Sequence, residues 1–171
     1  MILENFGILE FWNMRIGFGF DAHQLIENMP FTLGGIVIPH HKGAIGHSDA
    51  DVLIHAICDA LLGAANMGDI GLHFPDSEPA LKGIDSKILL QKVIQLLAQK
   101  GYRIVNIDTT ICLQQPKLRP YIPQMQETLA RVMAIPADDI SIKATTTEKM
   151  GFTGREEGVS AYAAVLVEKF L

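Results

Sequence analysis

Asp21 and His23 stand one residue apart in the run Asp21-Ala22-His23, and a lone histidine, His55, follows further along. In an extended segment residues i and i+2 point to the same side. One strand end can therefore offer a carboxylate oxygen and an imidazole nitrogen to a single divalent ion. His55 would complete a set of three. Three protein ligands with a fourth position open are the usual way to hold catalytic zinc, whereas structural zinc is closed by four. The same donors also suit Mn²⁺ or Co²⁺.

The surroundings of His55 sharpen this reading. Val52, Leu53, Ile54, Ala56, Ile57, Ala60, Leu61 and Leu62 make its helix apolar almost all round, which predicts a buried helix. Asp51, His55 and Asp59 nevertheless form one polar stripe at i, i+4 and i+8. Buried polar groups need partners. A metal at His55 with a carboxylate nearby would supply them. Without the Asp-x-His pair, His55 reads first as a core histidine satisfied by hydrogen bonds.

Three further constellations carry chemistry. His47-Ser48-Asp49 lies where the helix should begin, with Ser48 or Asp49 as its cap. Free N–H groups there attract anions, although a solvated loop histidine beside a cap is the plainer reading. Gly68-Asp69-Ile70-Gly71 and Phe74-Pro75-Asp76-Ser77-Glu78 form a polar, acidic loop suited to sugar hydroxyls. Lys143-Ala-Thr145-Thr146-Thr147-Glu148-Lys149, with Gly151-Phe152-Thr-Gly154-Arg155, offers hydroxyls, cations and glycines that can wrap a phosphate chain and Mg²⁺. A structural Gly/Thr turn is the alternative.

Other chemistries find no support. Gly17-Phe-Gly19-Phe-Asp-Ala22 matches G-x-G-x-x-A, but a short segment ending at Pro30 follows it rather than a helix, which excludes a dinucleotide site. Those glycines are expected to let the backbone approach a ligand or a neighbouring strand. No G-x-S-x-G and no reactive-cysteine signature occurs, so metal-assisted chemistry is favoured over covalent catalysis.

The elements that must position these residues follow from β-branched runs and their bounding Gly and Pro residues. Strands are predicted at Arg15–Phe20, Thr32–Ile38, Ile104–Leu113, Ile140–Ala144 and Gly158–Lys169, the last with both faces covered. Helices are predicted over about 49–65, 86–100 and 122–133. No repeat or linker interrupts them. The expectation is an α/β (α+β) single domain, a four- to five-stranded mixed sheet with helices packed on one face.

Composition sets the bounds. With 171 residues, 49% of them hydrophobic, the chain fits one domain. A net charge of −5 without a Lys/Arg run argues against nucleic acid as a partner. Cys58 and Cys112 sit in apolar stretches and read as buried thiols of a reducing compartment. No apolar run approaches the roughly 18 residues of a membrane span. Residues 1–13 hold Glu4 and Glu10 but no Lys or Arg, unlike a signal or transit peptide, and read as an N-terminal extension before a domain over 14–171. The expected location is cytoplasmic.

The run Arg15-Ile-Gly-Phe-Gly-Phe-Asp21-Ala-His23 resembles the start of the 2-C-methyl-D-erythritol 2,4-cyclodiphosphate synthase family. So do His47-Ser-Asp-Ala-Asp51-Val-Leu-Ile-His55, Gly68-Asp-Ile-Gly71, Phe74-Pro-Asp76 and the Lys143–Arg155 run, in the same order from about Met14 to the C-terminus. The resemblance implies a homotrimer with active sites between subunits. It implies cyclisation of 4-diphosphocytidyl-2-C-methyl-D-erythritol 2-phosphate to the 2,4-cyclodiphosphate with loss of CMP, in non-mevalonate isoprenoid synthesis. It also suggests an isoprenoid diphosphate at the trimer axis.

Carried over residue by residue, the resemblance makes Asp21, His23 and His55 ligands of zinc (or Mn²⁺ or Co²⁺). Glu148 helps hold Mg²⁺ (or Mn²⁺) on the substrate diphosphate, and His47 and Thr146 stabilise the transition state. Asp21, Ala22, His23, His47 and Ser48 touch substrate. Asp69, Ile70 and Gly71, with Phe74, Pro75, Asp76, Ser77 and Glu78, contact the ribose and the methylerythritol. Leu113, Gln114, Gln115, Pro116, Lys117, Leu118 and Arg119 surround the CMP moiety. Thr145, Thr146, Thr147, Glu148, Phe152 and Arg155 complete the set. Phe18, Glu78 and the pair Leu118-Arg119 depart from the family pattern, and residues 1–13 have no counterpart in it. The alternatives are a zinc-dependent phosphohydrolase of a nucleotide-diphosphate substrate and a non-catalytic trimeric metal- or isoprenoid-binding protein.

Overall fold

In a computed structural model of the chain, residues 13–75 and 77–170 are described. Nearly all of the N-terminal extension, and Asp76 among the expected substrate contacts, lie outside them. The chain runs β1 (Met14–Glu27), β2 (Thr32–Leu33), β3 (Ile36–Val37), β4 (Lys42–Ala44), α1 (Val52–Ala64), α2 (Ile70–His73), α3 (Ser86–Gln99), β5 (Tyr102–Cys112), α4 (Ile122–Met133), β6 (Ile140–Thr145), α5 (Gly151–Gly154) and β7 (Gly158–Lys169).

Five strands form one sheet in the order β4-β1-β7-β5-β6, with β5 and β6 parallel and the remaining pairs antiparallel. This is the expected mixed sheet in a single α/β domain. Alternation along β7 buries Val159, Ala161, Ala163, Val165 and Val167 beneath the helices. The opposite face of β7 leaves Tyr162 exposed and Ala164 and Leu166 half-buried, so within one chain only one face of this strand is covered.

Helix α1, buried except at His55, Asp59 and Gly63, lies across β1 and β7. Its contact with β1 depends on missing side chains. A Cβ at Gly17 would lie 1.9 Å from the carbonyl oxygen of Ala60, and one at Gly19 would lie 2.0 Å from that of Ala56. The close approach allowed by these glycines is therefore to a helix, not to a ligand or another strand.

Several boundaries differ from the sequence reading. The first strand runs on from Phe20 to Glu27, so the Asp-x-His pair sits inside a long strand paired residue by residue with β7. The predicted strand Thr32–Ile38 is a hairpin, because Gly34 and Gly35 both take positive φ (61° and 77°) and turn the chain between two-residue strands. The strand Lys42–Ala44 carried no sequence signal beyond its length of three residues.

Helix α1 begins three residues later than expected, capped by Asp51 rather than by Ser48 or Asp49. Asp51 wins because its buried carboxylate accepts three backbone N–H groups: Gly34 at 2.9 Å, Gly35 at 2.6 Å and Ile54 at 3.1 Å. It thereby ties the hairpin turn to the helix start. The other two long helices, α3 and α4, lie where the periodicity places them.

Candidate functional site

The polar stripe of α1 divides on folding. Asp51 is spent on the hairpin, and Asp59 accepts the Ile70 N–H at 2.8 Å. His55 alone turns toward β1, where Asp21 and His23 project from the same strand face. Oδ2 of Asp21 lies 2.8 Å from Nε2 of His23 and 2.9 Å from Nδ1 of His55, and the two nitrogens are 3.1 Å apart. Among the described residues these three are the one group of His, Cys, Asp and Glu side chains whose ligand atoms converge within 4.8 Å.

Each imidazole is aimed by something behind it. Nδ1 of His23 donates to the Ile45 carbonyl at 2.9 Å, which leaves Nε2 with its lone pair facing the cluster. Nε2 of His55 faces away, toward the hydroxyls of Ser48 (2.9 Å) and Ser86 (3.0 Å). Burial alone would raise the Asp21 carboxyl, but the two imidazoles outweigh it and hold Asp21 well below the usual carboxylate range. Burial would lower His23, yet its contact with Asp21 prevails and raises it above the ordinary imidazole value. Two neutral-capable nitrogens and an ionised oxygen at one point fit a divalent cation better than they fit each other.

The cluster opens on a cavity of about 330 Å³ lined by His23, His47, Ser48, His55, Ile70, Gly71 and Phe74, with Gly46, Leu81, Ile84 and Leu89 as its remaining wall. His47 belongs to its wall, and the Nε2 of that ring is buried without a hydrogen-bond partner among the described residues. Asp69 caps α2, accepting the Leu72 N–H at 2.9 Å. Burial, with the charge of Asp69 adding to it, keeps the Asp59 carboxyl above the usual range despite the Ile70 N–H. Pro75, Ser77 and Glu78 are exposed and stand outside the cavity wall.

A second cavity, of about 560 Å³, holds Leu113, Pro116, Lys117, Leu118, Arg119, Thr145 and Thr146, joined by Ile122, Lys143 and Ala144. Gln115 is exposed, while Gln114 accepts the Lys149 N–H at 3.4 Å. Leu118 is a core residue at only 3% exposure, which makes it part of the floor rather than a free contact.

The loop beyond β6 is firmly built. Thr146 donates to Glu148 at 2.7 Å, and Thr147 donates to the Met150 carbonyl at 2.6 Å. Glu148 and Lys149 both take left-handed conformations, with φ of 51° and 64°. Gly154 seats them, since a Cβ there would come within 2.3 Å of the Lys149 backbone. Phe152 lines a third hollow with Ala22, His23, Gln24, Glu157 and Gly158, and Arg155 is paired with Glu157 at 2.9 and 3.0 Å.

One chain does not bring all these parts together. Asp21 pairs with Ala161, Ala161 with Ile111, and Ile111 with Ala144. The metal cluster and the start of the Thr145 loop are thus three strand spacings apart, about 14 Å. Asp49, Ser86 and the Ile45 carbonyl belong to the site but were not legible as such. Ser86 reads only as a helix start, and a carbonyl leaves no mark in a sequence.

An α/β domain whose Asp/His/His cluster, able to hold a metal ion, opens on a cavity has the architecture of an enzyme. A model of the YgbB family matches residues 14–168. The chain is 67% identical over 156 residues to the 2-C-methyl-D-erythritol 2,4-cyclodiphosphate synthase of Bacteroides thetaiotaomicron, covering 91% of this chain and 98% of the relative. Its fold is similar to a solved structure of such a synthase in a CDP-bound form, with a TM-score of 0.84, 38% identity, and coverage of 90% of this chain and 100% of that one. It is also similar to the bifunctional IspDF of Campylobacter jejuni (TM-score 0.89, 39% identity), where 92% of this chain corresponds to 42% of the longer protein. The chain belongs to the 2-C-methyl-D-erythritol 2,4-cyclodiphosphate synthase family and is an enzyme, a lyase. No helix among the described residues is long and apolar enough to cross a membrane.

Proposed function

We propose that the chain converts 4-diphosphocytidyl-2-C-methyl-D-erythritol 2-phosphate to 2-C-methyl-D-erythritol 2,4-cyclodiphosphate and CMP, in isoprenoid precursor biosynthesis. The observation that carries this reading is the convergence of Asp21, His23 and His55 beside a cavity whose wall includes His47. High identity to synthases of this name, and a solved relative in its CDP-bound form, support it.

In the reaction an oxygen of the substrate's 2-phosphate bonds to the β-phosphorus. The bond from that phosphorus to the bridging oxygen breaks, CMP leaves with the oxygen, and no water is consumed. The nucleophile needs no strong protein base, since a phosphate monoester with a second pKa of about 6 is largely ionised at neutral pH.

Asp21, His23 and His55 would hold zinc, and Glu148 would help hold Mg²⁺ on the diphosphate. When bound, these cations supply Lewis-acid polarisation of phosphate oxygens. The chain itself binds and orients. His47 would direct a donor at a phosphate oxygen, Thr146 would do so on release of its hydroxyl from Glu148, and Lys117 and Arg119 offer positive charge along the nucleotide cavity. Leu81, Ile84 and Leu89 give the methylerythritol an apolar wall. The ribose falls to Asp69, whose second carboxylate oxygen is not needed for the cap, and to the Gly71 backbone. Holding the two ends of the substrate together is a proximity effect, worth up to roughly 7–11 kcal/mol in well-oriented cases.

We read the working form as a homotrimer in which one subunit's metal cluster faces the nucleotide cavity of the next. The separation of the two parts along the sheet supports this, as does the uncovered apolar face bearing Ile16 (77% exposed) and Phe18 (67% exposed). The same face would line an axial channel able to take an isoprenoid diphosphate.

Incubation with the substrate, zinc and Mg²⁺ should give CMP and cyclic product in equal amounts. Release of CDP, or no turnover by assembled, metal-loaded protein, counts against the reading. Incorporation of ¹⁸O from solvent into the product phosphate would instead mark a zinc phosphohydrolase.

A further inference from the structure

Behind His55 lies a chain of hydrogen bonds that reaches the first residue of α3. Ser86, fully buried, donates its hydroxyl proton to Oδ1 of Asp49 at 2.5 Å. The backbone N–H of Ser86 goes to the other oxygen of the same carboxylate at 3.2 Å. Asp49 is thus a bidentate anchor, and it dictates the direction of the Ser86 hydroxyl. With its proton committed to Asp49, the Ser86 oxygen can only accept from Nε2 of His55, 3.0 Å away. A lone pair on that nitrogen would face a lone pair on the oxygen. Nε2 must therefore carry the proton of the neutral ring, and Nδ1 must carry the lone pair. Nδ1 is the nitrogen that faces Asp21 and His23.

We propose that Asp49 and Ser86 are positioning residues that fix His55 in the Nε2–H tautomer, and so aim Nδ1 at the metal. The inference rests on the reading of Asp21, His23 and His55 as metal ligands. It adds a carboxylate–hydroxyl–imidazole relay behind one of them, the kind of outer-shell support whose loss typically costs 10–100-fold in metal affinity. His23 is fixed differently, through a backbone carbonyl that no substitution removes. The relay is the one of the two supports that side-chain changes can test. Ser48 stands by as a second acceptor, its oxygen 2.9 Å from Nε2 of His55 and 3.2 Å from the Ser86 oxygen.

The test is zinc affinity, measured by chelator competition, together with the imidazole ¹⁵N shifts of zinc-loaded protein. Ser86→Ala should weaken zinc binding at least 10-fold, and Ser48→Ala/Ser86→Ala further still. Asp49→Asn should weaken it less, because an amide oxygen still accepts the hydroxyl while the charge is lost. Thermal unfolding in excess chelator reports whether each variant folds. Should Ser86→Ala fail to fold, Asp49→Asn and the wild-type ¹⁵N shifts decide alone. Folded variants that hold zinc within twofold of wild type, or a His55 ring whose proton is on Nδ1 when zinc is bound, would overturn the proposal. His55→Ala separates the two levels. If that variant keeps its zinc, the metal-site reading itself fails; if it loses zinc while the folded Ser86 and Asp49 variants retain it, only the relay fails.

Discussion

Oδ2 of Asp21 lies 2.9 Å from Nδ1 of His55, joining a sheet strand to a buried helix across 34 residues of chain. That distance is set by how closely β1 and α1 approach, and the approach is set by Gly17 and Gly19. Gly19→Ala should cost at least 1–3 kcal/mol, about the usual penalty of overpacking, because a backbone carbonyl rather than a movable side chain is in the way. Chemical denaturation and zinc titration of the variant should both show the loss. Unchanged stability with full zinc binding would mean that the strand and helix have room to separate.

His55→Ala should lose zinc and activity while the far-ultraviolet circular dichroism stays that of a folded protein. A modest drop in melting temperature is expected as well, since the substitution empties a half-buried site. Removal of zinc from the wild type by a chelator should reproduce the activity loss, and added zinc should restore it. Metal analysis is the readout. A variant that still carries one zinc per chain would show that the ligand set is wrong.

Asp59 carries no expected chemistry of its own, yet it fastens the Ile70 N–H at the head of the loop proposed to meet substrate. Asp59→Ala should raise KM severalfold with a smaller change in kcat and no change in zinc content, and Asp59→Asn should restore part of the loss. Amide hydrogen exchange at Ile70 should quicken in the alanine variant. Equal protection in both proteins would remove Asp59 from this role.

If the chain assembles as proposed, through the sheet face bearing Ile16 and Phe18, charge placed there should separate the subunits. Ile16→Asp with Phe18→Asp is expected to shift the sedimentation coefficient to that of a monomer. Turnover should fall even though no substituted residue touches the metal cluster. A sedimentation coefficient unchanged by the two substitutions would count against assembly through this face.

Much of this site was legible in the sequence because its ligands obey short periods. Asp21 and His23 share a strand face at i and i+2, and His55 stood out as polar on an apolar helix. The partners of that helix were not legible. Asp51 and Asp59 read only as buried polar groups in need of partners, and each binds backbone N–H groups that only folding brings near. The Gly34-Gly35 turn hid inside a β-branched run, and its purpose, to present two N–H groups to Asp51, depends on a contact 16 and 17 residues away. Ser86 and Asp49 meet across 37 residues with no repeat to announce them. In sequence the ligand pair reads as the end of the first strand, whereas pairing with β7 carries the strand through it.

The left-handed conformations of Glu148 and Lys149 have a consequence for how the enzyme meets its substrate. Such conformations cost of order 1–3 kcal/mol each for residues with side chains, and here the bare Gly154 surface and the Thr146 and Thr147 hydrogen bonds hold them in place. The loop is therefore shaped by folding rather than by ligand. Its ordering entropy is spent in folding, so a ligand bound there would not have to meet that cost. The loop behaves as a mould rather than as a flap.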